Sequence, residues 1–169
     1  MKNKIEDLLR DYYKKQWKLN HITLQIKRLN TNIIEIQRRI EEGINIISLP
    51  GVARGVSPQK ANAYSEGLER AMIELEESLA RLKAELGEKT RKRNSLEMKK
   101  RALEEDLAST GIEFCFQLMT DNEKNVLEQM FIYRRDYSGA GRALHMSRNT
   151  ARYWYTKALE RLSEDLNIA

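Results

Sequence analysis

From Ile5 onward the apolar positions step by three and four: Ile5, Leu8, Tyr12, Leu19, Ile22, Ile26, Leu29, Ile33, Ile36 and Ile40, with Lys15 in the one missing step. Residues three and four apart share a helix face. Sustained over about five heptads, that spacing predicts a coiled-coil-like helix rather than an ordinary amphipathic one. Residues 2–42 would span roughly 60 Å, and Gly43 is expected to end the helix. A second ladder runs through Ala61, Ser65, Leu68, Met72, Leu75, Leu79, Leu82 and Leu86, then Leu96, Leu103 and Leu107, with Lys89, Arg93 and Lys100 where apolar residues belong. Ser57 and Pro58 suit its N-cap and first helical position. Between the ladders, residues 43–57 mix Gly43, Gly51, Gly55 and Pro50 with Ile44, Ile46, Ile47, Leu49, Val52 and Val56. This apolar loop is expected to pack over the hairpin's end.

Two such ladders joined by a loop predict an antiparallel helical hairpin. Neither stripe is stable alone in water, so each needs the other or a partner chain. Pairing Ile40 with the region near Lys60 would bring Tyr12 and Lys15 close to residues 85–89. The polar ladder positions would then gather at one end with Tyr13, Trp17, Lys14 and Lys18. Aromatic-basic mixing of this kind can hold a nucleic-acid backbone, but snorkelling lysines and cation–π packing account for it more simply.

The heptad phase is lost at Gly111, and an apolar cluster follows: Ile112, Phe114, Cys115, Phe116, Leu118 and Met119. A junction to a separate domain is expected there. Thr120 and Glu123 have capping-box spacing and open a helix through Val126, Leu127, Met130 and Phe131. A short helix over roughly 137–144, a turn at His145-Met146 and a helix capped by Ser147 complete a helix-turn-helix plan. The fold expected is therefore all-α: a coiled-coil hairpin over 1–109, then a small helix-turn-helix domain over 110–169.

Composition narrows the chemistry. Thirty Lys and Arg stand against 25 acids in 169 residues, a net charge of +5. No apolar run approaches the roughly 18 residues of a membrane span. The N-terminal stretch lacks the apolar core of a secretory signal, so a cytoplasmic protein is expected. Cys115 is the single cysteine and sits in an apolar cluster, as a buried structural thiol would. His21 and His145 are too far apart to suggest a metal site. No nucleophile-base arrangement is visible; an enzyme, a cofactor and a metal are not expected. The Gly139-Ala140-Gly141 run has Leu144 where a dinucleotide loop needs its third glycine.

The positive charge is concentrated. Arg134, Arg135, Arg142, Arg148, Arg152 and Lys157 face only Asp136 between residues 134 and 157. Ala140 and Gly141 supply the small contact that two closely crossing helices need. Ala151 and either Trp154 or Tyr155 should anchor the last helix, leaving Arg148, Asn149, Thr150, Arg152 and Tyr153 near its exposed N-terminal half. Recognition helices present base-contacting residues at that end. Arg and Asn suit guanine and adenine edges, while Ser, Thr and backbone N–H groups suit phosphates. Ser147, Arg148, Asn149, Thr150, Arg152, Tyr153, Arg142 and Lys157 are the candidate DNA-binding residues, and double-stranded DNA is the expected partner.

Residues 118–162 resemble region 4 of sigma-type initiation factors. The stretch MSRNTARYWYTKALERL is similar to that family's Ser-Arg-x-Thr-Val, basic spacer and Ala-Leu-x-x-Leu pattern, matched at Ser147, Arg148, Thr150, Ala158, Leu159 and Leu162, with Ala151 in place of Val. Gly139 and Gly141 depart from the usual Glu-Ile-Ala, and His145 stands where Gly is common. A long helical hairpin followed by one such domain resembles the ArpU-type phage and prophage transcriptional regulators. That resemblance implies a bacterial, phage-encoded activator of late genes that binds promoter DNA and contacts RNA polymerase, with self-association through the coiled coil as a further expectation. No region 2 pattern for promoter melting is present. Two other readings stay open: a DNA-packaging component resembling small terminase subunits, whose usual order puts the DNA motif first, and a structural coiled-coil adaptor.

Overall fold

The computed structural model describes residues 2–47 and 61–167. Within them the chain forms six helices and no strand: α1 (Lys2–Ile47), α2 (Ala61–Ser109), α3 (Ile112–Leu118), α4 (Asp121–Phe131), α5 (Tyr137–Ala143) and α6 (Arg148–Asp165). The all-α class with two long paired helices is as expected. None of the described helices is long and apolar enough to cross a membrane. Most of the expected loop, the Ser57-Pro58 cap and the side chains of Ala61, Ser65 and Leu68 lie outside the described residues.

Packing divides the chain into two compact units, Met1–Ile22 with Lys99–Ala169, and Thr23–Met98. The second is the hairpin proper. Ile26, Ile33, Ile36 and Ile40 are buried along α1. Ile36 and Ile40 meet Leu79 of α2, flanked by Leu75, Leu82 and Leu86. Gly43 does not end α1; the helix continues to Ile47. Its role is close approach instead, since a Cβ there would lie 2.7 Å from Leu79 Cδ2. A mid-helix glycine costs about 1 kcal/mol relative to Ala, and here it lets Leu79 pack directly on the α1 backbone.

That contact corrects the register. The Ile40–Gly43 turn of α1 lies against Leu79, and Lys60 lies outside the described residues. Met72, a ladder position, is exposed. Lys15 accordingly pairs with Asp106 at 2.8 Å and with Asp11 at 2.7 Å, far along α2 from residues 85–89. Lys15 and Lys100 belong to one compact unit and Lys89 and Arg93 to the other. Lys89 holds Glu85 at 3.3 Å within the hairpin unit, and Arg93 donates to Asn94 Oδ1 at 3.0 Å.

The other unit moves the boundary expected at 109/110. Ile5, Leu9 and Tyr12 of α1 and Leu107 of α2 share one core with Ile112, Cys115, Met119, Val126, Leu127, Tyr155, Ala158, Leu159 and Leu162. Gly111 does break the helix: its φ of 70° starts α3 in the left-handed region that glycine tolerates. The break redirects the chain without ending the packing. Leu9, off the predicted ladder, is fully buried while Leu8 is only partly so, because α1 here packs against the C-terminal helices as well as α2. Within α3 the helical period sorts the apolar cluster. Ile112 and Cys115 turn inward, and Phe114 and Leu118 are exposed. Burial, then the charge of Asp165, pushes the Cys115 thiol up, away from the thiolate a nucleophile needs.

Candidate nucleic-acid interface

The C-terminal helices are set by their caps. Thr120 and Glu123 form the expected capping box: Thr120 N donates to Glu123 Oε2 at 2.7 Å, and Glu123 N donates to Thr120 Oγ1 at 3.4 Å. Glu123 is wholly buried, and Arg161 of α6 reaches it. Arg161 Nη1 donates to Glu123 Oε2 at 3.1 Å and to the Leu118 carbonyl at 3.0 Å. Burial opposes the Glu123 charge, but the Thr120 backbone and hydroxyl hydrogen bonds and the Arg161 and Lys157 charges outweigh it. Its pKa lies below the ordinary carboxylate value. Nothing in the local pattern signalled this role for Arg161, whose partners are far away in sequence.

Asp136 caps α5, accepting from Gly139 N at 2.8 Å. The turn between α5 and α6 is tight. Met146 N donates to the Gly141 carbonyl at 2.9 Å, and His145 adopts a φ of 55°. A Cβ on Gly141 would lie 2.7 Å from the Met146 carbonyl oxygen. Backbone cannot yield there as a side-chain tip could, so this position requires glycine. Ala140 beside it is fully buried, which is the small contact the sequence pointed to.

Ser147 caps α6 as expected. Its Oγ accepts from Thr150 N at 3.0 Å and lies 2.8 Å from Thr150 Oγ1. Ala151, Tyr155, Ala158, Leu159 and Leu162 form the buried face. Of the two candidate aromatic anchors it is Tyr155 that is buried; Trp154 is partly exposed. Tyr155 stands edge-on to Tyr137 with ring centres 5.5 Å apart, and its hydroxyl donates to Glu6 Oε1 of α1 at 2.7 Å. Burial first, then the bond to Glu6 and its charge, holds the phenol far above its ordinary pKa. Glu6 was not among the candidates.

All eight candidate residues are exposed on α5, the turn or α6. Arg148 and Arg152 are one helical turn apart, and Asn149 and Tyr153 follow the same spacing beside them. The stripe borders the buried face: by the helical period Arg148 and Arg152 lie at the edge beside Ala151 and Tyr155, and Asn149 and Tyr153 lie further round, all four exposed. No acid occurs from Tyr137 to Leu159. Two differences of role appear within the set. The Ser147 and Thr150 hydroxyls are engaged with each other in the cap. Lys157 lies over the Trp154 ring at 5.2 Å and the Tyr153 ring at 5.8 Å, which gives a cation–π shelf at the far end of the stripe. Such a surface can offer guanidinium forks and an amide to base edges or phosphates. Among the described residues no group of His, Cys, Asp and Glu could hold a metal ion. Comparison with protein-family models, curated proteins and solved structures finds no match for this chain.

Proposed function

We propose that the chain is a sequence-specific DNA-binding transcriptional regulator whose α6 enters the major groove. The observation that carries this reading is the acid-free stripe of Arg148, Asn149, Arg152 and Tyr153 on the N-terminal turns of a helix capped by Ser147 and anchored by Ala151 and Tyr155. Arg148 and Arg152 are assigned to base edges or phosphates and Asn149 to an adenine edge. Arg142 and Lys157 flank the contact, and the Ser147 cap presents backbone N–H groups to phosphate. Resemblance to sigma region 4 and to the ArpU-type regulators supports the finer proposal: a phage or prophage late-gene activator in the bacterial cytoplasm, with promoter DNA and RNA polymerase as partners and self-association through the hairpin.

Footprinting on the genomic neighbourhood of the gene, followed by gel shift on the protected site, tests the reading. Arg152→Ala should cost about 1–3 kcal/mol of specific binding if it makes a bidentate base contact. Lys83→Ala, an exposed charge on α2, should change little at matched salt. Affinity should fall steeply with salt, as release of counterions requires. Parent-like DNA binding by Arg152→Ala and Arg148→Ala together would remove α6 as the reading element. A large ring in light scattering would turn the assignment toward DNA packaging.

A further inference from the structure

An open groove of about 1380 Å³ runs between the first turns of α1 and the end of α4 with the following turn. It lies within the unit formed by residues 1–22 and 99–169. Its floor is apolar. Tyr13 stacks on Phe131 with ring centres 5.8 Å apart and planes at 16°, and Tyr12 stands edge-on to Phe116 at 5.4 Å. Ile132, also lining it, is 51% exposed. Its rim is cationic: Arg10, Lys14, Lys124, Arg134 and Arg135 against Glu128 and Asp136. Arg10 is held by Asp7, Arg135 by Gln129, and the Asp136 carboxylate caps α5. Lys14, Lys124 and Arg134 have no ion-pair partner among the described residues.

Three features decide what fits. The rim charge calls for an anionic occupant. The volume exceeds the roughly 300–1000 Å³ of small-molecule sites, so a chain segment fits better than a metabolite. Tyr12, Tyr13, Phe116 and Phe131 are turned to one another and Trp17 is stacked on His21. That leaves bases at most one face of one exposed ring and no run of them to stack on, whereas an apolar floor accepts an apolar side chain. We propose that this groove docks an acidic segment of a partner protein, with carboxylates at Lys14, Lys124 and Arg134 and an apolar side chain seated over Phe131 and Ile132. The mode is that of an amphipathic segment laid into a groove, with anchors three or four residues apart. The proposal stands on the groove alone and does not depend on α6 reading DNA.

Fluorescence anisotropy of the full chain tests it, using a labelled Glu-rich peptide with Leu at every third or fourth position as the probe. Combined Lys14→Gln, Lys124→Gln and Arg134→Gln should weaken binding about tenfold, since three exposed ion pairs, each of modest worth, are lost together. Ile132→Glu, one exposed substitution, should repel the same peptide, and circular dichroism confirms that both variants fold. Replacing the Leu residues of the peptide by Ser should weaken it comparably. No binding of the probe overturns the proposal, as does unchanged binding to both variants. Equal binding of the Ser peptide would reduce the site to bulk charge. Displacement of the probe by a single-stranded oligonucleotide, lost in the same variants, would assign the groove to nucleic acid instead.

Discussion

Arg161 shows how a residue on an ordinary-looking helix face can hold a domain together. Among the described residues its guanidinium is the only cation bonded to the fully buried Glu123 carboxylate. Removing it leaves that charge with the more distant Lys157 but no bonded cation, and breaking a buried pair costs more than the pair itself contributes. Arg161→Ala is therefore expected to destabilise the C-terminal helices by about 2 kcal/mol, less than for a fully buried pair because Arg161 is partly exposed. The pH dependence has a definite sign. The folded pKa of Glu123 is depressed, so its contribution is present above the unfolded carboxylate pKa and is lost as pH falls through the folded value. Without Arg161 the folded pKa rises, and acid unfolding followed by circular dichroism should begin at higher pH. His145 offers the opposite case. It holds a left-handed φ that a β-carbon disfavours by about 1–2 kcal/mol, so His145→Gly should raise the urea midpoint. At this scale the caps were legible because capping is local: Thr120 with Glu123 and Ser147 with Thr150 lie within one turn. Arg161 with Glu123, and Tyr155 with Glu6, were not legible, since each joins residues that only the fold brings together.

Among elements, periodicity revealed which residues share a face but not which part of one helix meets which part of the other. Both ladders consist of similar Leu and Ile steps, and nothing in them distinguishes Ile40 opposite Lys60 from Ile40 against Leu79. The position that sets the register, Gly43, was read as a terminator because glycine ends helices far more often than it seats a partner side chain. The cations in the second ladder remain a cost to the hairpin. Lys89 and Arg93 occupy partly buried positions, and the Lys89–Glu85 pair is an i,i+4 surface pair worth about 0.3–0.5 kcal/mol. A half-buried leucine contributes more, roughly 1 kcal/mol by area. Lys89→Leu with Arg93→Leu should raise the melting temperature of the full chain. A lower melting temperature would mean that these cations hold a partner this chain meets in solution.

For the whole molecule, the change in hydrophobic pattern at Gly111 was a true signal of a new local structure and a poor one of independence. Sequence pattern reports where the chain turns; a shared core is decided by which side chains meet after the turn, and Ile5, Leu9 and Tyr12 are as much part of the C-terminal helices' core as Leu159. The consequence is measurable. Leu9 is fully buried in that core, so Leu9→Ala should cost about 2–5 kcal/mol. In a Trp17→Phe background the remaining tryptophan, Trp154, sits on α6 and reports the unfolding of the proposed reading helix. The urea midpoint of its fluorescence should fall with Leu9→Ala, although the mutated residue lies at the opposite end of the chain. Had the boundary been at 109/110, Trp154 would unfold at an unchanged midpoint while α1 loosened alone. For the same reason a fragment beginning near residue 110 should be molten, and adding residues 1–22 as a separate peptide should restore cooperative unfolding to it. That restoration would also show the start of α1 to be a structural part of the DNA-reading domain proposed here, and the unshifted midpoint would show that it is not.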